Sequence, residues 1–303
     1  MKNEGEIKMI YAITGATGNI GRRIAESLLA NSKDVRVIGR SAERLQPLVD
    51  KGAQPFVGDL EDSVFLTEAF SGAGAVFLMI PPSFQEENFR AYQNRVGESI
   101  ATALQNSGVK YALNLSSLGA HLPEGTGPIT GLYDQEQRLN QIPGLHLIHL
   151  RPTYFMENLF HNIDLIKHHG INGSPLKPDL AIPMIATQDI AAVGTEYLLN
   201  LDFSGKSVQE LLGPEDISMQ EVTRLIGKAI TKPDLPYVQF SYEDAAKTMV
   251  QMGLSEDLAG RFMEMNRAIN EGHGIAPLPR TEKNTTPTSF KEFAGFFADA
   301  YRG

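Results

Sequence analysis

Short apolar runs alternate with amphipathic ones along the first half of the chain. "IKMIYAIT" reads as a buried strand, and Ile20, Ile24 and Leu28 then recur at helical spacing. "DVRVIG" predicts a second strand, and "SAERLQPLVDKG" a helix opened by Ser41 and closed near Gly52. "AQPFVGDL" and "GAVFLMIPP" predict two more strands around a short helix. A long helix is expected from about Phe84 to Ser107, with Phe89, Tyr92, Val96, Ile100 and Leu104 as its apolar stripe. "KYALNLSS" and "LHLIHLRP" supply further strands on either side of the polar loop "GAHLPEGTGPITG" and another helix. Strict alternation of β and α units implies parallel strands with helices on both faces, a doubly wound α/β sheet of the Rossmann type.

The pattern loosens after Pro152. "TYFMENLFHNIDLIKHHG" reads as helical, and "INGSPLKPDLAIPMIA" as loop with short strands. "TQDIAAVGTEYLLN" reads as a helix with Ile190, Val193, Tyr197 and Leu198 on one face. "KSVQELLGPED" is expected to return a strand to the main sheet, and "ISMQEVTRLIGKAI" to start another helix. "SYEDAAKTMVQMGLSEDLAGRFMEMNRAINEG" reads as helical, with Ser241 and Asp244 in capping-box spacing. "GIAPLPRTEKNTTPTS" is linker-like. A last helix opens at Ser289 with Glu292 three residues on, where Phe290, Phe293, Phe296 and Phe297 would dock it. The expected division is a first domain over residues 1–152, rejoined by 187–213, and a smaller, mostly helical cap from 153–186 and 214–303.

A length of 303 residues allows one large domain or two tightly joined ones. Net charge is −9 with Lys and Arg scattered, so the chain lacks the basic footprint that nucleic acid or an anionic membrane requires. The absence of cysteine removes disulfides, thiolate metal sites and a cysteine nucleophile. "MKNEGEIKMIYAITG" has too short an apolar run for a secretory leader, and no run is long enough to cross a bilayer. A cytoplasmic protein acting on a small molecule is expected.

Candidate chemistry starts in "GATGNIG" (Gly15 to Gly21), which follows a strand and opens a helix. A helix N-terminus offers unpaired N–H groups and the positive end of the peptide dipole to a pyrophosphate. Gly15 permits the tight turn, Gly18 lets phosphates approach the backbone, and Gly21 lets the helix pack on the strand. Thr17 and Asn19 can add side-chain donors, and Ile20 completes the phosphate-facing set. The spacing is G-x-x-G-x-x-G rather than the commoner G-x-G-x-x-G, so the turn draws its weight from standing on the first strand of a βα series. At the tip of the second strand, where an NAD site places an acid on the ribose 2′-OH, stand Gly39, Arg40 and Ser41. Arg40 can fork onto a 2′-phosphate, Ser41 can add a hydroxyl and Arg44 a second cation. This pattern prefers NADP; a solvated loop arginine is the alternative.

These residues resemble the NmrA-like branch of the atypical short-chain dehydrogenase/reductase superfamily. The likeness rests on "ITGATGNIGRRIAESLL", "VRVIGRSAERL", "VGDLEDSVFLTEAFSGAGAVFLMIPP", "NLSSLGA", "LRPTYFMENL" and a late "TPTSFKEF", in that order along most of the chain. It implies an NADP-binding Rossmann domain, a small C-terminal cap, and a cleft between them for a substrate or second ligand. It further implies that Asp59 and Leu60 border the adenine, that Leu78, Met79 and Ile80 line the ribose side, and that Pro152 to Tyr154 lie near the nicotinamide.

Short-chain dehydrogenases pair a Tyr with a Lys four residues later, helped by a Ser near the preceding strand end; the Lys cation lowers the phenol pKa. This chain offers Ser116 and Ser117 at the strand end and Tyr133 in "GLYDQEQRL". Gln137 stands where the Lys belongs, and Asp134 and Glu136 add acids beside it. Tyr133 and Ser116 are the catalytic candidates; the alternatives are an aromatic that shapes the cleft and a ligand contact. His121 is either a substitute acid or an exposed loop residue. The missing Lys weakens alcohol–ketone chemistry more than quinone reduction, whose proton can come from water. "HLIHL" and "KHHG" lack the spacing of a zinc-binding H-E-x-x-H, and there is no G-x-S-x-G elbow. Met249, Met252, Met263 and Met265 read as filling of the cap helices or as an adaptable substrate wall, and Asp189 as an acid in a helix's first turn.

The residues point to an NADPH-dependent reductase of a small apolar electrophile such as a quinone or conjugated carbonyl. The other reading is an NADP-binding redox sensor that acts through a protein partner without turnover. A homodimer stays open in either case.

Overall fold

The computed structural model describes residues 9–272 and 279–303. The N-terminal stretch, the start of the first expected strand and the opening of the Pro/Thr-rich linker lie outside the described residues. The first half runs β1 (Ile10–Thr14), α1 (Asn19–Ala30), β2 (Asp34–Gly39), α2 (Ala42–Val49), β3 (Gln54–Val57), α3 (Ser63–Phe70), β4 (Ala73–Leu78), α4 (Phe89–Ser107), β5 (Tyr111–Leu115), α5 (Thr130–Asn140) and β6 (His146–Pro152). The second half runs β7 (Tyr154–Phe155), α6 (Ile163–His169), β8 (Asn172–Ser174), β9 (Ala181–Ile185), α7 (Thr187–Asn200), β10 (Lys206–Leu211), β11 (Asp216–Ser218), α8 (Met219–Ala229), β12 (Tyr237–Gln239), α9 (Tyr242–Gln251), α10 (Glu256–Glu271) and α11 (Phe290–Arg302).

Seven strands form one parallel sheet in the order β10-β6-β5-β4-β1-β2-β3. Alternate residues of each strand face opposite helical layers, which is why the strands read as continuous apolar runs. Ala12, Val76, Ala112 and Leu147 face α3, α4 and α5, around Phe70, Val96, Ile100 and Leu139. Ile13, Phe77, Leu113 and Ile148 face α1, α2 and α7, around Ile24, Leu28, Leu45 and Ile190. The strand order reverses between β1 and β4, and a doubly wound sheet opens its ligand crevice at the carboxyl edge of such a point.

Most of the remaining elements build a third core around Met156, Ile166, Ile226, Phe290 and Phe297, while Leu258 of α10 joins the first. Besides helices it holds two small sheets, β11-β9-β7 and β12-β8. Several local expectations change. The long helix starts at Phe89, not Phe84, because the Asn88 side chain accepts from Ala91 N and ends the preceding loop. The expected helix after Tyr154 is a two-residue strand, a 3₁₀ segment over Met156–Asn162 and only then α6. The stretch from Tyr242 breaks into two helices around Gly253, with Ser255 capping the second. The capping box at Ser289 and Glu292 forms, but Phe296 is 51% exposed while Phe290, Phe293 and Phe297 are buried. Met263 fills core, whereas Met252 stands in solvent. Among the described residues no helix is long and apolar enough to cross a membrane.

Candidate functional site

The crevice begins at the turn between β1 and α1. Gly15 sits at φ +62°, a conformation side chains resist, and a β-carbon there would lie 2.6 Å from the Met79 sulfur. A β-carbon on Gly21 would lie 2.5 Å from the Gly15 carbonyl oxygen, so only glycine lets α1 approach the turn this closely. Gly18 N donates to Gly15 O at 2.9 Å and closes the turn. Thr14 Oγ1 donates to Phe77 O at 3.1 Å and accepts from Met79 N at 2.9 Å, which ties the ends of β1 and β4 together.

α1 begins without a side-chain cap and without an acid in its first turn. Ser41, Asp62, Asn88, Ser218, Ser241, Ser255 and Ser289 each cap a helix, whereas α5, α6 and α7, like α1, begin without a side-chain cap of their own. The first N–H groups of α1 are therefore without a capping side chain, at the dipole end that favours negative charge. Gly18 and Asn19 are exposed there and Thr17 is half-buried, while the Ile20 side chain is buried, leaving only its N–H to the crevice.

Arg40 is exposed at the tip of β2 and makes no ion pair with any described residue. Arg44 reaches back to Thr17 O at 3.4 Å. The Ser41 oxygen accepts from Arg44 N at 3.3 Å, which leaves its hydroxyl proton free to donate to a ligand. Asp59 is exposed and accepts from Glu61 N, and Leu60 is buried beside it. Burial pushes the Tyr92 phenol up to about 12, with Arg40 opposing and Asp59, Glu61 and Glu86 reinforcing the shift. Glu61 and Glu86 both pair with Arg95, and neither forms an ion pair with Arg40. Leu78 is fully buried in the core, so it meets the crevice through its backbone; Met79 and Ile80 are half-buried.

The other end is built by β5, α5 and β6. Ser116 is 4% exposed and donates from Oγ to Glu136 Oε1 at 2.5 Å. Arg151 clasps the same carboxylate, Nε to Oε1 at 2.9 Å and Nη2 to Oε2 at 2.5 Å. Deeper on the same face, His149 stands between Asn114 (3.1 Å) and Asn140 (3.2 Å), and burial depresses its pKa to about 4. Tyr133 is half-buried, and its hydroxyl has no hydrogen-bond partner among the described residues. Asp134 is held by Arg90 through two bonds and by Asn94, with its carboxyl lowered chiefly by the bond to Arg90. Both acids flanking Tyr133 in sequence are thus paired with arginines. Gln137 and His121 are exposed. Pro152 is buried and accepts from Leu118 N at 2.9 Å; Thr153 follows, buried, with its hydroxyl unpartnered. Tyr154 packs against the third core.

The α9–α10 hairpin closes over this end. Ser255 N donates to Phe84 O, and Asp257 accepts from Phe89 N, both at 2.8 Å. A β-carbon on Gly127 (φ +61°) would strike Arg261 O at 2.0 Å, so the loop after β5 passes directly under α10. On the glycine side, a cavity of about 140 Å³ is lined by Asn19, Arg23, Glu157, Thr187, Phe160 and Phe293 among others. Glu157 accepts from Thr187 N and its hydroxyl, capping α7 from outside the helix.

Glu136, Arg151, Glu157 and Asp189, the last accepting from Thr288 N and Oγ1, were not foreseen in these contacts. A signal existed for the first: Glu136 lies three residues before Leu139, on the apolar stripe of α5, where an acid needs a buried partner.

The profile of the NmrA-like family matches residues 8–294. An NAD(P)H azoreductase from Xenophilus azovorans is 27% identical over 88% of this chain and 86% of its own. Quinone oxidoreductase 2 of Escherichia coli K12 is 27% identical over 87% of this chain and 89% of its own. The crystal structure of an NADPH-dependent quinone oxidoreductase from E. coli, complexed with NADPH, superposes with a TM-score of 0.78 at 23% identity, covering 94% of this chain and 99% of that one.

Proposed function

The chain belongs to the NmrA-like family, and from that premise we propose that it is an NADPH-dependent reductase of a small apolar electrophile, such as a quinone, a conjugated carbonyl or an azo compound. The observation that carries this reading is the uncapped N-terminus of α1 over the glycine turn, beside the unpaired Arg40. Gly15, Thr17, Gly18, Asn19, Ile20 and Gly21 would hold the pyrophosphate. Arg40, with the Ser41 proton, would take the 2′-phosphate and set the preference for NADPH over NADH. Asp59 and Leu60 would border the adenine, Met79, Ile80 and the Leu78 backbone the ribose, and Pro152 the nicotinamide. The fit is supported by glycines where phosphates must approach and by a cation that makes no ion pair with any described residue.

Reduced nicotinamide, when bound, supplies hydride. The chain's own residues orient the acceptor and exclude water beneath the α9–α10 hairpin. Gln137 gives Tyr133 no cationic neighbour of the usual kind, and the Ser116 hydroxyl already donates its hydrogen bond to Glu136. Neither is equipped to drive protonation of an alkoxide, which favours acceptors whose reduced form takes its proton from water. The names of the azoreductase and quinone oxidoreductase relatives agree with acceptors of that class.

NADPH consumption followed by absorbance, across quinones, conjugated carbonyls and azo dyes, tests this reading. Turnover with at least one acceptor is expected. Tight NADP⁺ and NADPH binding without turnover on any acceptor would favour the redox sensor, the reading that Gln137 also supports.

A further inference from the structure

The cavity on the glycine side takes none of its lining from β5, α5 or β6, and its two walls differ in kind. One wall is aromatic. The Phe160 and Phe293 ring centroids lie 5.4 Å apart with the planes tilted by 32°, and Phe296 follows Phe293 by three residues along α11. Phe293 is 2% exposed, whereas Phe296 stands 51% exposed at the cavity. The third core does not include Phe296, so the docking of α11 does not account for an aromatic ring there.

The other wall is polar, and its charges are unevenly committed. Glu157 turns both carboxylate oxygens to the start of α7, on Thr187 N and Oγ1. Gln188 Nε2 donates to Thr288 Oγ1 at 2.9 Å. The side chains of Asn19 and Arg23, one turn apart on α1, make no hydrogen bond or ion pair with any described residue. A guanidinium and an amide on one helix face thus stand without an acceptor, and the planar fork of Arg23 matches a carboxylate. The space between the walls is about 140 Å³, close to the roughly 150 Å³ at which a protein cavity takes up one benzene ring.

We propose that this cavity binds a single-ring aromatic carboxylate, its ring against Phe160, Phe293 and Phe296 and its carboxylate on Arg23 and Asn19. Glu157 does not oppose such an anion at close range, because its own charge is held at the positive end of α7. The site goes beyond the reductase reading and does not depend on it. It shares only Asn19 with the phosphate-facing residues of the glycine turn.

The test is titration of the full chain, without cofactor, with para-fluorobenzoate and with para-fluorobenzyl alcohol as the neutral ring, followed by the fluorine resonance. The acid should bind saturably with a Kd of about 1 mM or tighter, and the alcohol more weakly. Arg23→Gln should weaken the acid on the order of tenfold, the loss of one charge-assisted hydrogen bond, and leave the alcohol unchanged. Phe296→Ala should weaken both ligands about fivefold, because both lose the ring contact. Both side chains are exposed, so each variant should keep the wild-type melting temperature. Failure of the acid to saturate at about 10 mM would overturn the proposal. So would an acid affinity unchanged in either variant, since the carboxylate would then lie elsewhere, such as at the glycine turn. The NADP reading is left standing by any of these failures, because the titration contains no cofactor.

Discussion

The two ends of the crevice are made by different kinds of order. At the glycine turn the decisive contacts are local: Gly15, Gly18 and Gly21 lie within seven residues, and between a strand and a helix their spacing marks a tight turn. At the β5–α5–β6 end they are remote, since Ser116 meets Glu136 across 20 residues and Asn114 meets His149 across 35. The first end is shaped by absent side chains, and the second by buried charge. A turn of the first kind tolerates almost any surrounding fold, whereas a network of the second kind exists only when three elements dock.

The largest effect should come from breaking the second end. Arg151→Met leaves the Glu136 carboxylate buried without its cation, and such losses run at about 3–5 kcal/mol. Denaturant unfolding should show a destabilisation of that order; a loss of a few tenths would mean that the pair does not hold α5 to β6.

That contrast also explains what could be read in advance. The alternation of apolar runs gave the parallel sheet, and the turn residues gave the anion-facing loop, because both signals are periodic or contiguous. The roles of Ser116 and Tyr133 were harder to see. The sequence marks Ser116 as a catalytic candidate or a ligand contact at the strand end, and Glu136 only as an acid near Tyr133. The misplaced start of α4 and the break at Gly253 have a related cause: apolar residues such as Phe84 and Met252 continue a helical rhythm past the cap that ends it. The Asp189 contact to Thr288 spans 99 residues and left no local trace beyond an acid in a helix's first turn.

His149 sharpens the comparison through pH. Its folded value of about 4 lies below the unfolded value near 6.5, so the unfolded chain takes up the proton first as pH falls. The resulting stability is fully present above about pH 6.5 and is lost progressively down to about pH 4, by about 3 kcal/mol. Unfolding measured against pH should show this slope in the wild type, and His149→Gln should flatten it. An unchanged slope would place His149 in a more solvated setting than between Asn114 and Asn140.

Gly21→Ala probes the first end. Its β-carbon meets the Gly15 carbonyl rather than a flexible side chain, so the backbone must yield, at a cost of about 1–3 kcal/mol. Thermal unfolding should register the loss, and NADPH affinity should fall with it. Full affinity in a stably folded Gly21→Ala chain would separate the turn from phosphate binding.

The most direct test of the account is the relative affinity for NADPH and NADH, by calorimetry, in the wild type and in Arg40→Asp. Charge-assisted hydrogen bonds of about 1.5–3 kcal/mol predict on the order of a ten- to hundredfold preference for NADPH, most of it gone in the variant. Equal affinities in the wild type, or an undiminished preference in Arg40→Asp, would contradict the assignment of this crevice to NADP through Arg40.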